Sequence, residues 1–280
     1  MNDGITVLAK QNEAESLELL AAMRQNYIYQ KRVLALLFIL NIVVVIVLAV
    51  LASLLSSQIF NEWVAVYGVF LTFIDVVILT PRMKGFGVRA AAIQELFDCY
   101  VLGLSKHIVK QPDCVDRYDI STAAKAYKEV PEAPLRGWYS EVTAEMTASE
   151  AVYNAQLMNV WWDKKQKEIF QKWAIIVLVV LSFIVLLTAY MQDLGFRSLL
   201  AYVMPLILPA VIFWYNFHSG LAGDITRLQK LEALVSGSSA NSYGSDKARQ
   251  IQDAIYEHRR SNTPVFDWIF KRLRPAFEKA

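Results

Sequence analysis

Asn159-Val160-Trp161-Trp162-Asp163-Lys164-Lys165 lies inside the stretch that decides the fold, residues 150–190. From Ala148 to Gln192 the chain has no Pro, no Gly and no turn cluster, so nothing there ends a helix. The first half of the stretch is amphipathic and charged; from Trp173 onward it is almost purely apolar. One continuous helix is therefore expected to leave a polar region and enter a bilayer. Trp161, Trp162 and the lysines Lys164, Lys165, Lys167 and Lys172 stand just before the apolar run. Aromatic rings favour the headgroup level, and Lys there marks a cytoplasmic boundary. A force on the polar half would reach the membrane half rigidly, which is the geometry of a gate.

Working outward, three more apolar runs appear. Residues 33–55 are interrupted only by Asn41 and Ser53, and 23 residues at ~1.5 Å each give ~35 Å, enough to cross a ~30 Å hydrocarbon core. Residues 63–80 form a second run, closed by Pro81 with Arg82, Lys84 and Arg89 just beyond. Residues 199–217 form the last, with Pro205 and Pro209 inside it and a kink expected. With 55% hydrophobic residues and a mean hydropathy of +0.32, the 280-residue chain is too apolar for an ordinary soluble domain.

The expected fold class is thus an all-α membrane protein: four transmembrane helices in two hairpins, with a helical cytoplasmic domain built from a 92-residue insert and both termini. The segments are a juxtamembrane helix (1–32), hairpin one (33–80), the insert (81–172), hairpin two (173–217) and C-terminal helices (218–280). Residues 1–32 read as a polar tail and then a helix, either solvated or a packing surface. In the insert, helices are expected over 88–104 and 121–130, with a polar turn at 111–119 and an aromatic corner at Arg136-Gly137-Trp138-Tyr139. Residues 237–245 read as a flexible loop, 246–260 as a helix and 265–273 as a last aromatic-rich segment. Arg197 is the only basic residue in the two short linkers; the other 27 of 28 Lys and Arg lie on the opposite side, which the positive-inside rule makes cytoplasmic. Both termini and the insert are therefore expected inside a multi-pass inner-membrane protein.

No catalytic constellation is present. His107, His218 and His258 have no ligand spacing, Cys99 and Cys114 read as reduced thiols, and there is no Walker loop, GxSxG or HExxH. Asp163 and Glu168 read as solvated partners of nearby lysines. The chain is expected to be no enzyme and to carry no metal and no cofactor. In the second span Ala65, Gly68, Thr72 and Asp75 fall at steps of three, four and three, on one face. Asn41 can reach the depth of Asp75. Two readings stay open: Asn41, Gly68, Thr72 and Asp75 line a pore, or Asn41 and Asp75 form a hydrogen-bonded pair that fixes the hairpin. On the polar side, aromatic rings come with basic and amide neighbours: Arg136 with Trp138 and Tyr139, Gln156 and Asn159 with Trp162, Arg259 with Trp268. Rings that stack a base beside groups that hold phosphate would make a nucleotide site; the same residues also suit a core edge.

Several of these pieces occur in a familiar order. They are Gln11-Asn12 before a Leu-rich helix, Ala92-Ile93-Gln94-Glu95-Leu96-Phe97-Asp98, Trp138-Tyr139, Gln156-x-x-Asn159-x-x-Trp162-Asp163, Ile251-Gln252 and Pro264-Val265-x-Asp267-Trp268. With the two-plus-two spans, the chain resembles the SMODS-associated four-transmembrane putative pore-forming effectors of bacterial anti-phage nucleotide signalling (CBASS). It departs from them at Leu104-Ser105-Lys106-His107, where Leu-Pro-Trp-Asn is expected. The resemblance implies a homo-oligomeric membrane effector, opened by a cyclic di- or oligonucleotide messenger and not by a nucleic acid polymer. The rival reading is a non-conducting membrane sensor or scaffold that recruits a cytoplasmic partner.

Overall fold

A computed structural model of the protein describes residues 1–55, 57–105, 115–128, 134–191 and 204–266. Among these residues every regular element is helical. The chain begins with a docked helix rather than a tail. Helix α1 (Gly4–Lys10) opens at Asp3, whose side chain accepts from Thr6 N at 3.0 Å. Asn2 N donates to Leu102 O and Gly4 N to Met146 O, both at 2.9 Å, which ties the N-terminus to the insert. Helix α2 (Ala14–Phe38) continues through a π-helical turn (Ile39–Val44) into α3 (Val45–Leu55). Leu20, Met23, Asn26, Gln30, Leu34 and Leu37, at steps of three and four, form its buried face, so residues 1–32 are a packing surface.

The next helix corrects the expectation at Pro81. Helix α4 (Gln58–Ile74) passes through a second π-helical turn (Asp75–Leu79) directly into α5 (Thr80–Leu102). Proline cannot donate and crowds the preceding turn. Here Pro81 falls in the first turn of α5, just after the widened turn, where the helical hydrogen-bond register has already shifted. The helix therefore runs on past the expected end of the second apolar run.

Helix α6 (Arg117–Ala126) starts four residues before the expected Ser121, because Asp116 caps it by accepting from Tyr118 N at 3.1 Å. The expected turn at 111–119 is thus partly helix, and its first residues lie outside the described ones, as do His107, Cys114 and residues 129–133. Helix α7 (Ala148–Met191) is unbroken, as its composition dictates. Helix α8 (Met204–Ser236) carries Pro209 inside it, while Pro205 falls in its first turn, where a missing N–H costs little. The loop after it holds a short 3-10 turn (Ala240–Ser242) and a fully buried Tyr243. Helix α9 (Ser245–Ser261) leads into a non-helical segment, residues 262–266.

The main core gathers Val7, Leu20, Met23, Ile93, Phe97 and Tyr139 with side chains from α7, α8 and α9. Each such apolar side chain, once fully buried, contributes about 1.5–3 kcal/mol. A consecutive Ala90-Ala91-Ala92, at most 1% exposed, lets α5 approach its neighbours closely; Ala91 and Ala92 pack on Tyr256 of α9. Two continuous helices, Ala14–Ala52 and Gln58–Leu102, are long and apolar enough to cross a membrane. Residues 192–203, which include the linker expected between a third and fourth span, lie outside the described residues. Beyond Lys172, α7 turns Trp173, Ile176, Val179, Phe183, Leu186 and Tyr190 outward, each half exposed or more. Leu208, Val211, Ile212 and Tyr215 do the same on α8.

Candidate ligand cavity

A buried polar network sets the floor of the candidate site. Helix α5 offers Gln94, Glu95 and Asp98 on one face; α9 answers with Arg249, Gln252 and Arg259. Arg259 Nη1 donates to Asp98 Oδ2 at 2.6 Å, and Gln252 Nε2 donates to Asp98 Oδ2 at 3.0 Å and to Glu95 Oε2 at 2.8 Å. Arg249 Nη2 pairs with Glu95 Oε1 at 2.5 Å. Tyr139 closes the network by donating its hydroxyl to Asp98 Oδ1 at 2.6 Å, while its own N–H donates to Gln11 Oε1 at 2.8 Å. Burial and the Asp98 carboxylate push the Tyr139 hydroxyl well above the usual phenol range. Asp98 has no exposed surface, so each of its partners offsets a large desolvation cost. Burial, helped by Glu95, likewise lifts the Cys99 thiol to about 12, which makes it an inert packing residue.

Above this network lies a cavity of about 660 Å³, a size that suits a small-molecule ligand. Four of the sequence-predicted residues line it: Trp138, Asn159, Trp162 and Arg259. Gly137, at φ +67°, makes the turn that presents Trp138, and its N–H donates to Asn12 Oδ1 at 3.1 Å. The Arg24 guanidinium stacks over the Trp138 ring at 5.2 Å and donates to the Tyr127 hydroxyl at 3.2 Å. Lys31 and Lys128 add positive charge to the wall. The opposite end is formed by Asp163, Lys167, His258 and residues 262–265. His258 Nε2 lies 2.8 Å from Asp163 Oδ2. Burial alone would raise the Asp163 carboxyl, but Lys167, His258 and Arg259 outweigh it and hold the group down at about 2. Trp138 Nε1, His258 Nδ1 and Asn262 Oδ1, on residues that line the cavity, are buried without a hydrogen-bond partner among the described residues. Asn159 Nδ2 likewise has no hydrogen-bond partner among the described residues. Buried polar atoms are ordinarily satisfied, and several unsatisfied ones on residues around one cavity suit a ligand whose entry rearranges the lining.

The other predicted site residues fall elsewhere. Arg136 is exposed and outside the cavity lining. Tyr139 belongs to the Asp98 network, and Gln156 is fully buried, donating to Gln252 Oε1 at 3.1 Å and accepting from the Tyr243 hydroxyl at 2.6 Å. Trp268 lies outside the described residues. Sequence reasoning missed Arg24, Tyr27, His258 and Asn262 as lining residues; Arg24 and Tyr27 were visible only as part of a Leu-rich helix. The expected local partners of the lysines before Trp173 are present in part: Lys167 Nζ stands 3.9 Å from Asp163 Oδ1, and Lys165 pairs with Glu168 at 3.3 Å. Solvation is what needs correction, since Lys167 is 1% exposed and pairs more closely with Asp224 Oδ2 at 3.0 Å, and Lys164 pairs with Glu232. These two lysines clamp α7 to α8.

Between the two long apolar helices, Asn41 Nδ2 donates to Asp75 Oδ2 at 3.2 Å, and Thr80 Oγ1 donates to Asp75 Oδ1 at 2.6 Å. Both residues sit in π-helical turns, where the local widening aims them at each other. Thr72 is exposed and donates back to Gly68 O at 2.8 Å, and a Cβ on Gly68 would meet nothing within 4 Å. Among the described residues no cluster of three or more His, Cys, Asp or Glu could hold a metal ion.

Comparison with known proteins adds an independent finding. The chain is 25% identical over 285 residues to a probable CBASS effector molecule of Bacillus cereus (strain VD146), covering 94% of this chain and 92% of that protein. No solved structure matches it. The sequence pattern of the SMODS-associating 4TM effector domain matches residues 6–280, nearly the whole length. The chain belongs to the SMODS-associating 4TM effector family.

Proposed function

We propose that the protein is a membrane effector of anti-phage signalling, opened as a pore when a cyclic di- or oligonucleotide binds the cavity. The observation that carries this reading is the cavity's composition. Trp138 and Trp162 offer faces for bases, Arg24, Lys31 and Lys128 offer charge for phosphates, and unpartnered buried polar atoms offer an edge to read. The probable CBASS effector it resembles, and the family itself, support the setting. The apolar halves of α7 and α8, with their large outward side chains, serve as a third and fourth span beside the two long apolar helices. One such protomer encloses little space, so the pore forms between protomers of a homo-oligomer, with Gly68 and Thr72 on an open face. The Asn41–Asp75 bond favours a hairpin-fixing role for that pair, which is compatible with its facing water on assembly. No catalytic step is part of this reading.

Dye release from liposomes carrying the purified protein, with and without a panel of cyclic nucleotides, tests the proposal: release that no nucleotide stimulates overturns it. In the same preparation Trp162→Ala is expected to weaken nucleotide binding by ~1–3 kcal/mol, the usual worth of one base stacked on an aromatic ring. Calorimetry showing parental affinity would move the site away from Trp162. The one-sided distribution of Lys and Arg supports a topology with both termini and the insert in the cytoplasm, at the inner membrane. A reporter fused after Ala280 should score as cytoplasmic, and a periplasmic signal would invert the topology.

A further inference from the structure

The segment after α9, residues 262–266, has two sides. One side is cavity wall: Asn262, Thr263, Pro264 and Val265 all line it. The other side reaches the long helices. Val265 is buried with Phe170 of α7 and Leu221 of α8, and the Phe266 ring sits edge-on to Phe170 at 5.5 Å and to Phe38 of α2 at 5.7 Å.

The segment is held by its backbone. Thr263 N donates to Asp224 Oδ2 at 2.6 Å, and Lys167 Nζ donates to Thr263 O at 2.7 Å. Lys167 and Asp224 are themselves a buried ion pair, with Arg227 on the other carboxylate oxygen. A buried ion pair is a poor source of net stability but a sensitive one, since altering one partner leaves the other uncompensated. Lys167 also lines the cavity, and its ammonium stands 3.9 Å from Asp163 Oδ1 as well. His258 Nδ1, on a residue only 4% exposed, and Asn262 Oδ1 stand unpartnered at the segment's start.

We propose that residues 262–266 are a strap through which the cavity's ligand acts on the apolar helices. A phosphate-bearing ligand with a hydrogen-bonding heterocycle engages His258 Nδ1 and Asn262 Oδ1, draws Lys167 from its latch, and shifts Val265 and Phe266 against α2, α7 and α8. The proposal rests on the cavity being the ligand site, as argued under the proposed function.

Gly220 of α8 supplies the test. A Cβ there would stand 2.5 Å from Thr263 Oγ1 and 3.7 Å from Thr263 Cβ, so the strap passes directly over a position that only glycine leaves open. The Cβ separation fits a disulfide, whose usual range is about 3.5–4.5 Å. Gly220→Cys with Thr263→Cys, in a Cys114→Ser background, would therefore fasten the strap to α8; Cys99 is buried. The full-length protein is placed in dye-loaded liposomes and probed with cyclic di-AMP, cyclic di-GMP, cyclic GMP–AMP and cyclic tri-AMP. The oxidised protein, at saturating nucleotide, should release dye more slowly by roughly 5- to 150-fold, the ordinary span of a coupling effect, and should bind the nucleotide more weakly than the reduced protein because the lock opposes the shifted strap. Dithiothreitol should restore release. Release at the reduced protein's rate, with the bridge intact by mass, overturns the strap. Asp224→Asn loosens the latch and should raise release without any nucleotide; Phe266→Ala serves if that variant does not fold. Should no probe bind the parent, the nucleotide reading of the cavity falls. The loosened variant then decides the strap alone: raised basal release upholds it, and the parent's rate overturns it.

Discussion

Arg259→Ala is expected to cost about 3–5 kcal/mol of stability, the usual penalty for stripping one partner from a buried ion pair. Asp98 has no exposed surface, and Arg259 is its cationic partner at 2.6 Å. Burial by itself opposes a charged guanidinium, but Asp98, first among its neighbours, holds Arg259 protonated above its usual range. Removing the guanidinium leaves the carboxylate, among the described residues, with Tyr139 and Gln252. Arg259 also lines the cavity, so a loss of ligand binding in this variant would report the fold first and the ligand contact second. Urea unfolding in detergent separates the two. A double variant, Asp98→Asn with Arg259→Gln, removes both charges and should lie closer to the parent than Arg259→Ala does. A midpoint for Arg259→Ala within ~0.5 kcal/mol of the parent, the range of ordinary surface changes, would show that the network does not depend on this pair.

The same pair marks the limit of what the sequence makes legible. The unbroken α7 was readable because it depends on local facts: no Pro, no Gly, and a switch from charged to apolar at Trp173. The Asn41–Asp75 bond was readable because a polar residue in an apolar run has few other partners to reach. Tyr139, Gln156 and Arg259 are different. An aromatic hydroxyl, an amide and a guanidinium suit a ligand and a buried network equally well. Only the partner decides, and Arg259 stands 161 residues from Asp98. Lys167 does stand by Asp163, the acid within local reach, but the burial of Lys164 and Lys167 was hidden for the same reason, since Glu232 and Asp224 lie 68 and 57 residues away. Pro81 misled through a local rule that a π-helical turn overrides. The cavity itself left a partial trace: Trp138, Asn159 and Trp162 were chosen for their chemistry and do meet, but His258 and Asn262 carry no motif.

A Gly-Gly pair in place of Gln171-Lys172 is expected to leave nucleotide affinity near the parent's and to reduce opening strongly. Both residues lie outside the cavity lining, and Lys172 is exposed. They sit between Phe170, where the strap packs on α7, and Trp173, where the outward apolar run begins. Lys167-Glu168 would be a poor place for the same pair, because Lys167 is part of the latch. Two glycines cost roughly 1–2 kcal/mol of helix and introduce a flexible point. If the ligand's effect enters α7 at Phe170 and travels along an unbroken helix, that flexible point dissipates it. The strap and the helix then act in series, so the disulfide lock and the glycine pair should both suppress release, and only the glycine pair should leave binding intact. A non-conducting scaffold predicts no such separation, since nothing need be transmitted past Trp173. Calorimetry and dye release on one preparation decide the matter. Parental binding together with parental opening would reduce α7 to an anchor and leave α2, through Phe38 and the Asn41 turn, as the route from the strap to the membrane.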